Sequence, residues 1–220
     1  MTVFDEFLDL LLPCRCVICS STGVALCENC ALQMAASPRA VVRSDLHGWV
    51  ATDYGSLEKS LVTAFKEDGV TALAPILARF MQPAFAAFRD ELPSSIEGAL
   101  LVPAPSSKAN FRKRGFLPTL ILARRLNQGA GGLLRVKEAL RFVKVVLDQS
   151  GLSIEQRKSN LSGSIQASRD VSGQRVILLD DVVTTGATLL EAARAIAAAG
   201  GEVVGFLTFS ETILKTPAKF

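Results

Sequence analysis

The sequence predicts an α/β fold in which a parallel sheet is flanked by helices, and residues 175–209 carry the clearest pattern. The apolar run Val176–Leu179 is typical of a strand that is buried on both faces. The following "ATLLEAARAIAAAG" favours a helix that stops at Gly200, and Glu202–Phe209 predicts a second buried strand. A strand–helix–strand unit of this kind pairs its strands in parallel through a right-handed crossover.

The stretch before this unit predicts further strands and helices. "SPRAVVRSD" is predicted to be a polar link, followed by a strand, a helix that ends at Lys66, a turn at Asp68–Gly69 and a long helix with an apolar face. Ala99–Val102 predicts a strand, which "PAPSS" ends, and "KANFRKRGF" predicts a cationic loop before another helix. Leu140–Val146 predicts a strand followed by a long polar stretch, which is typical of a functional lid.

All five cysteines lie between positions 14 and 30, in "CRCVICSSTGVALCENC". Two C-x2-C pairs close in sequence are typical of a ribbon in which four thiolates hold one structural Zn²⁺ with no open coordination position. Cys14 could replace Cys16, and unmetallated thiols in a degenerate ribbon are the alternative. The predicted ligands are Cys16, Cys19, Cys27 and Cys30. We therefore predict a cysteine module in residues 1–40, and a main domain in residues 41–220.

The composition restricts the class of protein. Apolar residues make up 49% and charged residues 20% of the 220 residues, which indicates a folded globular chain. No uncharged apolar run reaches the ~18 residues of a membrane span. "MTVFDEFLDLLLPC" has no basic start, so it predicts an amphipathic helix rather than a signal peptide, and we expect a cytoplasmic location. The lone histidine, His47, is expected on the surface, which argues against histidine-dependent nucleophilic catalysis.

The charge is unevenly distributed along the chain. Residues 108–158 hold twelve Lys and Arg against three acids, whereas the remainder holds twelve against eighteen. A basic segment of this kind suits a ligand with several phosphates, or nucleic acid. A solvated basic face is the simpler alternative.

Asp180 and Asp181 follow the predicted strand directly and precede the loop "TTGAT". In an open α/β sheet, ligands bind outside the carboxyl ends of the strands. The start of the next helix offers free N–H groups to a phosphate, and Gly186 permits close approach of the backbone. The aspartates suit a diol or a divalent cation. The pattern favours a ligand with a phosphate at one end and sugar hydroxyls at the other, although an ordinary turn with solvated aspartates is the alternative.

"VILLDDVVTTGAT" resembles the phosphoribosyl pyrophosphate (PRPP) motif of type I phosphoribosyltransferases. The resemblance implies that the two acids hold the ribose hydroxyls and that the following loop holds the 5'-phosphate. The PRPP-binding residues would be Asp180, Asp181, Val182, Val183, Thr184, Thr185, Gly186, Ala187 and Thr188.

"YGSLEKSLVTAFKEDG", "VPAPSSKANFRKRGF" and "QSGLSIEQRKSNLSGSI" precede that motif in the order found in the ComF family, competence-associated proteins with an N-terminal cysteine ribbon. The resemblance implies a type I phosphoribosyltransferase-like sheet and a small zinc-ribbon-like module. It implies a pyrophosphate loop at Pro103–Lys108 and a mobile catalytic loop at Lys144–Asn160. One departure is "GFLPT", where relatives have Asn at the position of Leu117.

The resemblance implies transfer of phosphoribosyl from PRPP to an unidentified nitrogenous acceptor, with Mg²⁺ bound alongside PRPP and release of pyrophosphate. Asp180 and Asp181 with Lys108, Arg112 and Arg114 are the candidate catalytic residues, the three cations facing the pyrophosphate. Two other functions stay open: a non-catalytic PRPP-binding protein, and an accessory that handles single-stranded DNA during uptake with a competence-protein partner. The sequence leaves the acceptor and the oligomeric state open.

Overall fold

The structure is a computed structural model that describes residues 14–91, 96, 98–144 and 161–212. The predicted N-terminal helix in residues 4–11 lies outside the described residues. So does the predicted catalytic loop, apart from Lys144 at its start.

The described residues form helices and strands that alternate through most of the chain. The helices are α1 (Glu28–Ala31), α2 (Ser56–Lys66), α3 (Ala74–Glu91), α4 (Lys108–Arg114), α5 (Pro118–Gly129) and α6 (Ala187–Ala198). The strands are β1 (Arg39–Arg43), β2 (Leu46–Asp53), β3 (Leu100–Pro103), β4 (Arg135–Val136), β5 (Leu140–Phe142), β6 (Ile165–Ala167), β7 (Arg175–Val183) and β8 (Glu202–Glu211).

The main sheet has the strand order β1-β2-β8-β7-β3-β4. β1 and β2 form an antiparallel hairpin at one edge, whereas β2, β8, β7, β3 and β4 pair with their neighbours in parallel. β5 and β6 form a separate antiparallel pair. The fold is therefore α/β with a mostly parallel sheet, as predicted.

The helices cover both faces of this sheet. Ile177 and Leu179 of β7 pack with apolar side chains of α2, α3 and α5 on one face. Val176 and Leu178 pack with side chains of α6 on the other face. This alternation is the period of two that a strand buried on both faces requires. It also sends the next two side chains of β7 in opposite directions.

The cysteine module shares the core on the α3 side of the sheet. Cys16, Leu26, Cys30 and Met34 are buried in the same cluster as the side chains of α2 and α3. β1 spans residues 39–43, so the predicted domain boundary after residue 40 falls within a strand of the main sheet. The division into two domains stays a prediction.

Three local predictions require correction. "SPRAVVRSD" is not a polar link, because its alternating side chains form β1 and pair with β2. The cationic loop is the short helix α4, which Ser107 caps by accepting a hydrogen bond from the Asn110 N–H at 3.1 Å. The strand predicted to start at Leu140 ends at Phe142, two residues before Lys144, where this described range ends.

Other predictions are confirmed. α2 ends at Lys66, β3 follows the predicted strand within one residue, and His47 is an exposed residue of β2. Among the described residues, no helix is both long enough and apolar enough to cross a membrane.

Candidate functional site

The two aspartates lie inside β7 and not in the loop that follows it. Because β7 continues to Val183, Asp180 and Asp181 are its sixth and seventh residues. The side chain of Asp181 is only 2% exposed, whereas Asp180 is half-buried. The placement of the aspartates after the strand is therefore wrong, and the alternative of solvated turn residues does not hold for Asp181. The side chains alternate along the strand, so Asp181 turns towards α2.

Lys66, the last residue of α2, pairs with Asp181. Its Nζ lies 2.6 Å from Oδ2 and 2.8 Å from Oδ1 of Asp181. The Val182 N–H also donates to Oδ1, at 2.8 Å. Burial lowers the pKa of Lys66, but the negative charges of Asp181 and Asp180 outweigh it and raise that pKa above its ordinary value. Lys66 was not predicted as a site residue from the sequence. The one sequence feature that could have indicated it is its position at the predicted end of a helix.

Asp180 has an unusual protonation equilibrium. Loss of hydration and, after it, the adjacent charge of Asp181 raise its pKa to about 8, although the charge of Lys66 acts in the opposite direction. Asp180 Oδ1 accepts a hydrogen bond from the Asp181 N–H at 2.9 Å. Near neutral pH the pair therefore binds a proton readily, and a bound cation or hydroxyl donor would favour the ionised form.

The loop after β7 leads directly into the N-terminus of α6. Gly186 has a φ of 76° in the left-handed region, and Thr185 Oγ1 accepts from the Ala187 N–H at 3.3 Å. Asp180 and residues 182–189 line one concavity. Free N–H groups at the start of the twelve-residue α6 make this a suitable place for a phosphate.

Arg43 of β1 supports this loop from beneath. Its Nε donates to the Thr184 carbonyl at 2.9 Å, and its guanidinium also pairs with Glu211 at the end of β8. A Cβ atom at Gly186 would lie 2.8 Å from side-chain carbons of Arg43. Glycine is thus required there both by φ and by close packing. Sequence reasoning missed Arg43 because the segment had been predicted as a link.

Helix α4 begins at the same edge of the sheet. Pro103, the last residue of β3, pairs with Leu179, which precedes Asp180 in β7. Lys108 and Arg112 of α4 are exposed, whereas the Arg114 side chain is only 10% exposed and pairs with Glu67. The structure therefore leaves Lys108 and Arg112 accessible to an anion.

Glu67 follows Lys66 in the chain and holds two cations of α4. Its carboxylate lies 3.0 Å from the Lys113 Nζ and also pairs with Arg114. These cations lower the pKa of Glu67 below its ordinary value, with the hydrogen bond from Lys113 as the largest cause. Lys66 thus contacts Asp181, and the next residue, Glu67, contacts α4.

The four predicted zinc ligands come together. The Sγ atoms of Cys16, Cys19, Cys27 and Cys30 lie within 4.8 Å of one another, in a group that does not include Cys14 among the described residues. The Cys19 and Cys27 sulfurs are 3.6 Å apart. Zn–S bonds of about 2.3 Å in a tetrahedron place sulfurs roughly 3.8 Å apart, so the group fits a four-thiolate zinc site.

Cys16 is prepared to act as a thiolate. Burial raises its pKa, but hydrogen bonds from the backbone of Cys19, Cys27 and Ile18 lower it by more, to about 6. One of these donors is the Cys27 N–H, 3.4 Å from Cys16 Sγ. A preformed thiolate suits metal coordination, because the ligand must be deprotonated to bind.

Comparison with known proteins bears on the aspartate site. Residues 112–217 match the phosphoribosyl transferase domain. The match begins in α4 and includes the aspartate pair, the loop and α6, whereas Arg43, Lys66 and Glu67 lie outside it.

Individual relatives carry related names. The chain is 34% identical over 100 residues to the adenine phosphoribosyltransferase of Nitrosopumilus maritimus, covering 44% of this chain and 54% of that protein. It is 31% identical over 121 residues to the adenine phosphoribosyltransferase of Synechococcus sp., covering 55% of this chain and 66% of that protein. It is 52% identical over 40 residues to the orotate phosphoribosyltransferase of Pyrobaculum aerophilum, covering 18% and 21%.

Among solved structures, orotate phosphoribosyltransferase of Mycobacterium tuberculosis H37Rv aligns with a TM-score of 0.40 at 18% identity, over 81% of this chain and 78% of that one. The chain spans 54% of the Nitrosopumilus adenine protein and 21% of the Pyrobaculum orotate protein, so the matches cover these relatives only in part.

Proposed function

We propose that this chain is a PRPP-dependent phosphoribosyltransferase that transfers the phosphoribosyl group to a nitrogenous acceptor and releases pyrophosphate. The observation that carries the proposal is the arrangement at the end of β7. There, Asp180 and the glycine loop at the start of α6 line one concavity, with Asp181 buried next to them in β7, within residues that match the phosphoribosyl transferase domain.

The parts of this edge suit the parts of PRPP. The N–H groups at the start of α6 suit the 5'-phosphate, and the carboxylates of Asp180 and Asp181 suit the ribose diol. Lys108 and Arg112 suit the pyrophosphate because they are exposed beside the same strand ends. This division gives each residue a separate ligand group to test.

The same residues suit a dissociative displacement at C1. Positive charge develops on the sugar as the bond to pyrophosphate breaks, and nearby carboxylates stabilise such charge. The carboxylate pair offers oxygen ligands of the kind that Mg²⁺ prefers. Mg²⁺, when bound with PRPP, would neutralise part of the charge on the leaving pyrophosphate. The cations of α4 would hold the other pyrophosphate oxygens.

We propose further that the cysteine module binds one structural Zn²⁺ through Cys16, Cys19, Cys27 and Cys30. The spacing of their sulfurs supports this proposal. Protein purified under reducing conditions should contain about one zinc per chain. Metal analysis that finds no zinc, together with retained folding after chelation, would contradict it. A cytoplasmic location, which would keep the thiols reduced, remains part of the prediction.

The decisive experiment measures pyrophosphate release from PRPP and Mg²⁺ across a panel of nucleobases. Adenine and orotate come first, because relatives of this chain bear the names of enzymes for those bases. Asp180→Asn should abolish release that depends on a base. Asp170→Asn, at an exposed carboxylate that pairs with Lys137 on the surface, is the matched control and should leave it unchanged.

Other outcomes would favour the alternatives. Tight PRPP binding without release would support a non-catalytic PRPP-binding protein. Absence of PRPP binding, combined with salt-dependent binding of single-stranded DNA, would support the accessory role in DNA uptake that the ComF resemblance implies. Either outcome would contradict the proposal that this chain is a phosphoribosyltransferase.

A further inference from the structure

Lys66 is the partly buried charge partner of Asp181, and it lies outside residues 112–217 that match the phosphoribosyl transferase domain. Its ammonium approaches both oxygens of Asp181 at 2.6 and 2.8 Å, and its side chain is 30% exposed. This ion pair joins the end of α2 to β7 in the middle of the sheet, and its carboxylate is buried, unlike that of a surface ion pair. It fixes a group that the proposed ligand would touch.

The two oxygens of Asp181 are not equivalent. Oδ1 accepts hydrogen bonds from Lys66 and from the Val182 N–H, so its acceptor capacity is used within the protein. Oδ2 lies 2.6 Å from the ammonium but, among the described residues, receives no hydrogen bond of normal geometry and is buried. Both oxygens of Asp181 thus lie against Lys66, and the ion pair holds the buried carboxylate in one orientation.

The charges of Asp180, Asp181 and Lys66 are a second observation about this site. Asp180 and Asp181 are adjacent, and two unscreened carboxylates would repel both each other and a phosphorylated sugar. The ammonium of Lys66 makes the charge of this cluster one unit less negative before any metal binds. Burial lowers the pKa of Lys66, but the charges of Asp181 and Asp180 raise it by more, so the ammonium stays charged beside them.

We propose that Lys66 is a positioning residue that holds Asp181 for the ribose diol and supplies a built-in positive charge beside it. This inference rests on the proposed function, because it assigns the diol to that carboxylate. Lys66 acts through Asp181 and requires no contact with the sugar. The neighbouring Glu67, which holds Arg114 and Lys113, connects the same helix end to the cations for pyrophosphate.

The test compares Lys66→Met with Lys59→Met. Lys59 is an exposed residue of the same helix, so the control makes the same substitution away from the site. Isothermal calorimetry in buffer without Mg²⁺ would measure binding of ribose 5-phosphate and of inorganic phosphate. Lys66→Met should weaken ribose 5-phosphate at least about tenfold, the loss expected for one charge-assisted hydrogen bond. Phosphate alone should change less than about twofold, because the loop at the start of α6 is intact.

Added Mg²⁺ should recover part of the lost affinity in Lys66→Met and change the parent less, because the metal replaces a missing positive charge. A purely structural role for Lys66 would weaken phosphate and ribose 5-phosphate equally and give no metal rescue. Equal losses, or ribose 5-phosphate affinity unchanged from the parent, would overturn the inference.

Lys66→Met leaves Asp181 buried without its partner, so a second variant covers the case in which it does not fold. Lys66→Arg keeps the charge but moves the donor atoms and should fold. It should weaken ribose 5-phosphate and leave inorganic phosphate unchanged, and an unchanged ribose 5-phosphate affinity would overturn the inference. If the parent binds PRPP, an unchanged ribose 5-phosphate affinity in Lys66→Arg contradicts the role of Lys66 but not the proposed function. If the parent binds no PRPP, the proposed function and the role of Lys66 are both overturned.

Discussion

The loop at the start of α6 and the helix α4 lie at the same edge of the sheet, but they present positive character in different ways. The loop offers backbone N–H groups whose positions are fixed by Gly186 and by Arg43 beneath it. Helix α4 offers long side chains, and two of its cations already pair with Glu67. Backbone groups are preorganised and insensitive to most substitutions, whereas exposed side chains are individually replaceable and sensitive to salt.

The largest effect should come from Gly186→Val. Valine at a φ of 76° is strained, and its Cβ would lie 2.8 Å from Arg43, so the loop must move. We expect phosphate and PRPP affinity to fall at least about a hundredfold, which corresponds to roughly 2.7 kcal/mol. Calorimetry would measure both.

Gly131→Val is the control for this substitution. Gly131 has a similar φ of 74°, but a Cβ there would meet no atom within 4 Å. It should suffer the backbone strain alone and keep its ligand affinity. Equal loss of affinity in the two variants would show that strain anywhere in the chain, and not the packing on Arg43, damages the site.

The double variant Lys108→Ala, Arg112→Ala should come next. We expect PRPP affinity to fall about ten- to a hundredfold at low salt, the range for one or two charge-assisted contacts. The loss should shrink as salt rises, and ribose 5-phosphate, which lacks pyrophosphate, should bind as before. Arg124→Ala, Arg125→Ala removes two exposed cations from α5 and serves as the control. If ribose 5-phosphate weakens as much as PRPP, the α4 cations do not serve the pyrophosphate.

Protonation of Asp180 should have an effect of intermediate size, on the free energy of unfolding. The pKa of Asp180 in the folded chain is raised to about 8 from an ordinary value of 3.8. Between those values the folded state holds the extra proton, so its contribution to stability falls as pH rises. Because Asn does not ionise, the Asp180→Asn variant should not lose stability in this way as pH rises.

The free energy of unfolding of Asp180→Asn relative to the parent should therefore increase from pH 5 to pH 8, by at most about 1.4 kcal/mol per pH unit. Taking the difference cancels the titration of groups that do not interact with Asp180. Urea unfolding at several pH values would measure it. A difference that stays constant with pH would mean that Asp180 is ionised throughout.

The smallest effect should come from Thr188→Ala. A phosphate would lose one hydroxyl donor and keep the N–H groups at the start of α6, so we expect a loss of about two- to tenfold. Binding measured with ribose, which has no phosphate, is the control and should not change. A loss as large as that of Gly186→Val would contradict the dominance of the backbone groups.

The sequence predicted the parts of this molecule whose signal is local. β7, α6 and β8 follow from an uninterrupted pattern of apolar runs, helix formers and glycine, and the cysteine spacing identified the sulfurs that cluster. Helix α2 was predicted to its last residue. These elements are specified by neighbours in the chain, so periodicity and caps suffice.

The parts that sequence reasoning missed depend on distant contacts. Asp181 was placed after the strand and its burial was missed, because no local pattern reveals that Lys66 lies against it across 115 positions of the chain. Arg43 was assigned to a link, since a five-residue edge strand carries little periodic signal. The cationic stretch was expected to be a loop, although Ser107 at its start is a common helix cap.

The hairpin at the edge of the sheet has a consequence for how this protein can be divided. A fragment cut to residues 112–217 would keep the motif but lose β1, β2, α2 and β3, and with them Arg43 of β1 and Lys66 of α2. Its β8 would be left with an unpaired edge, which invites association between copies. The smallest unit expected to bind ligand therefore reaches back at least to Arg39, and recombinant fragments or domain swaps should respect that limit.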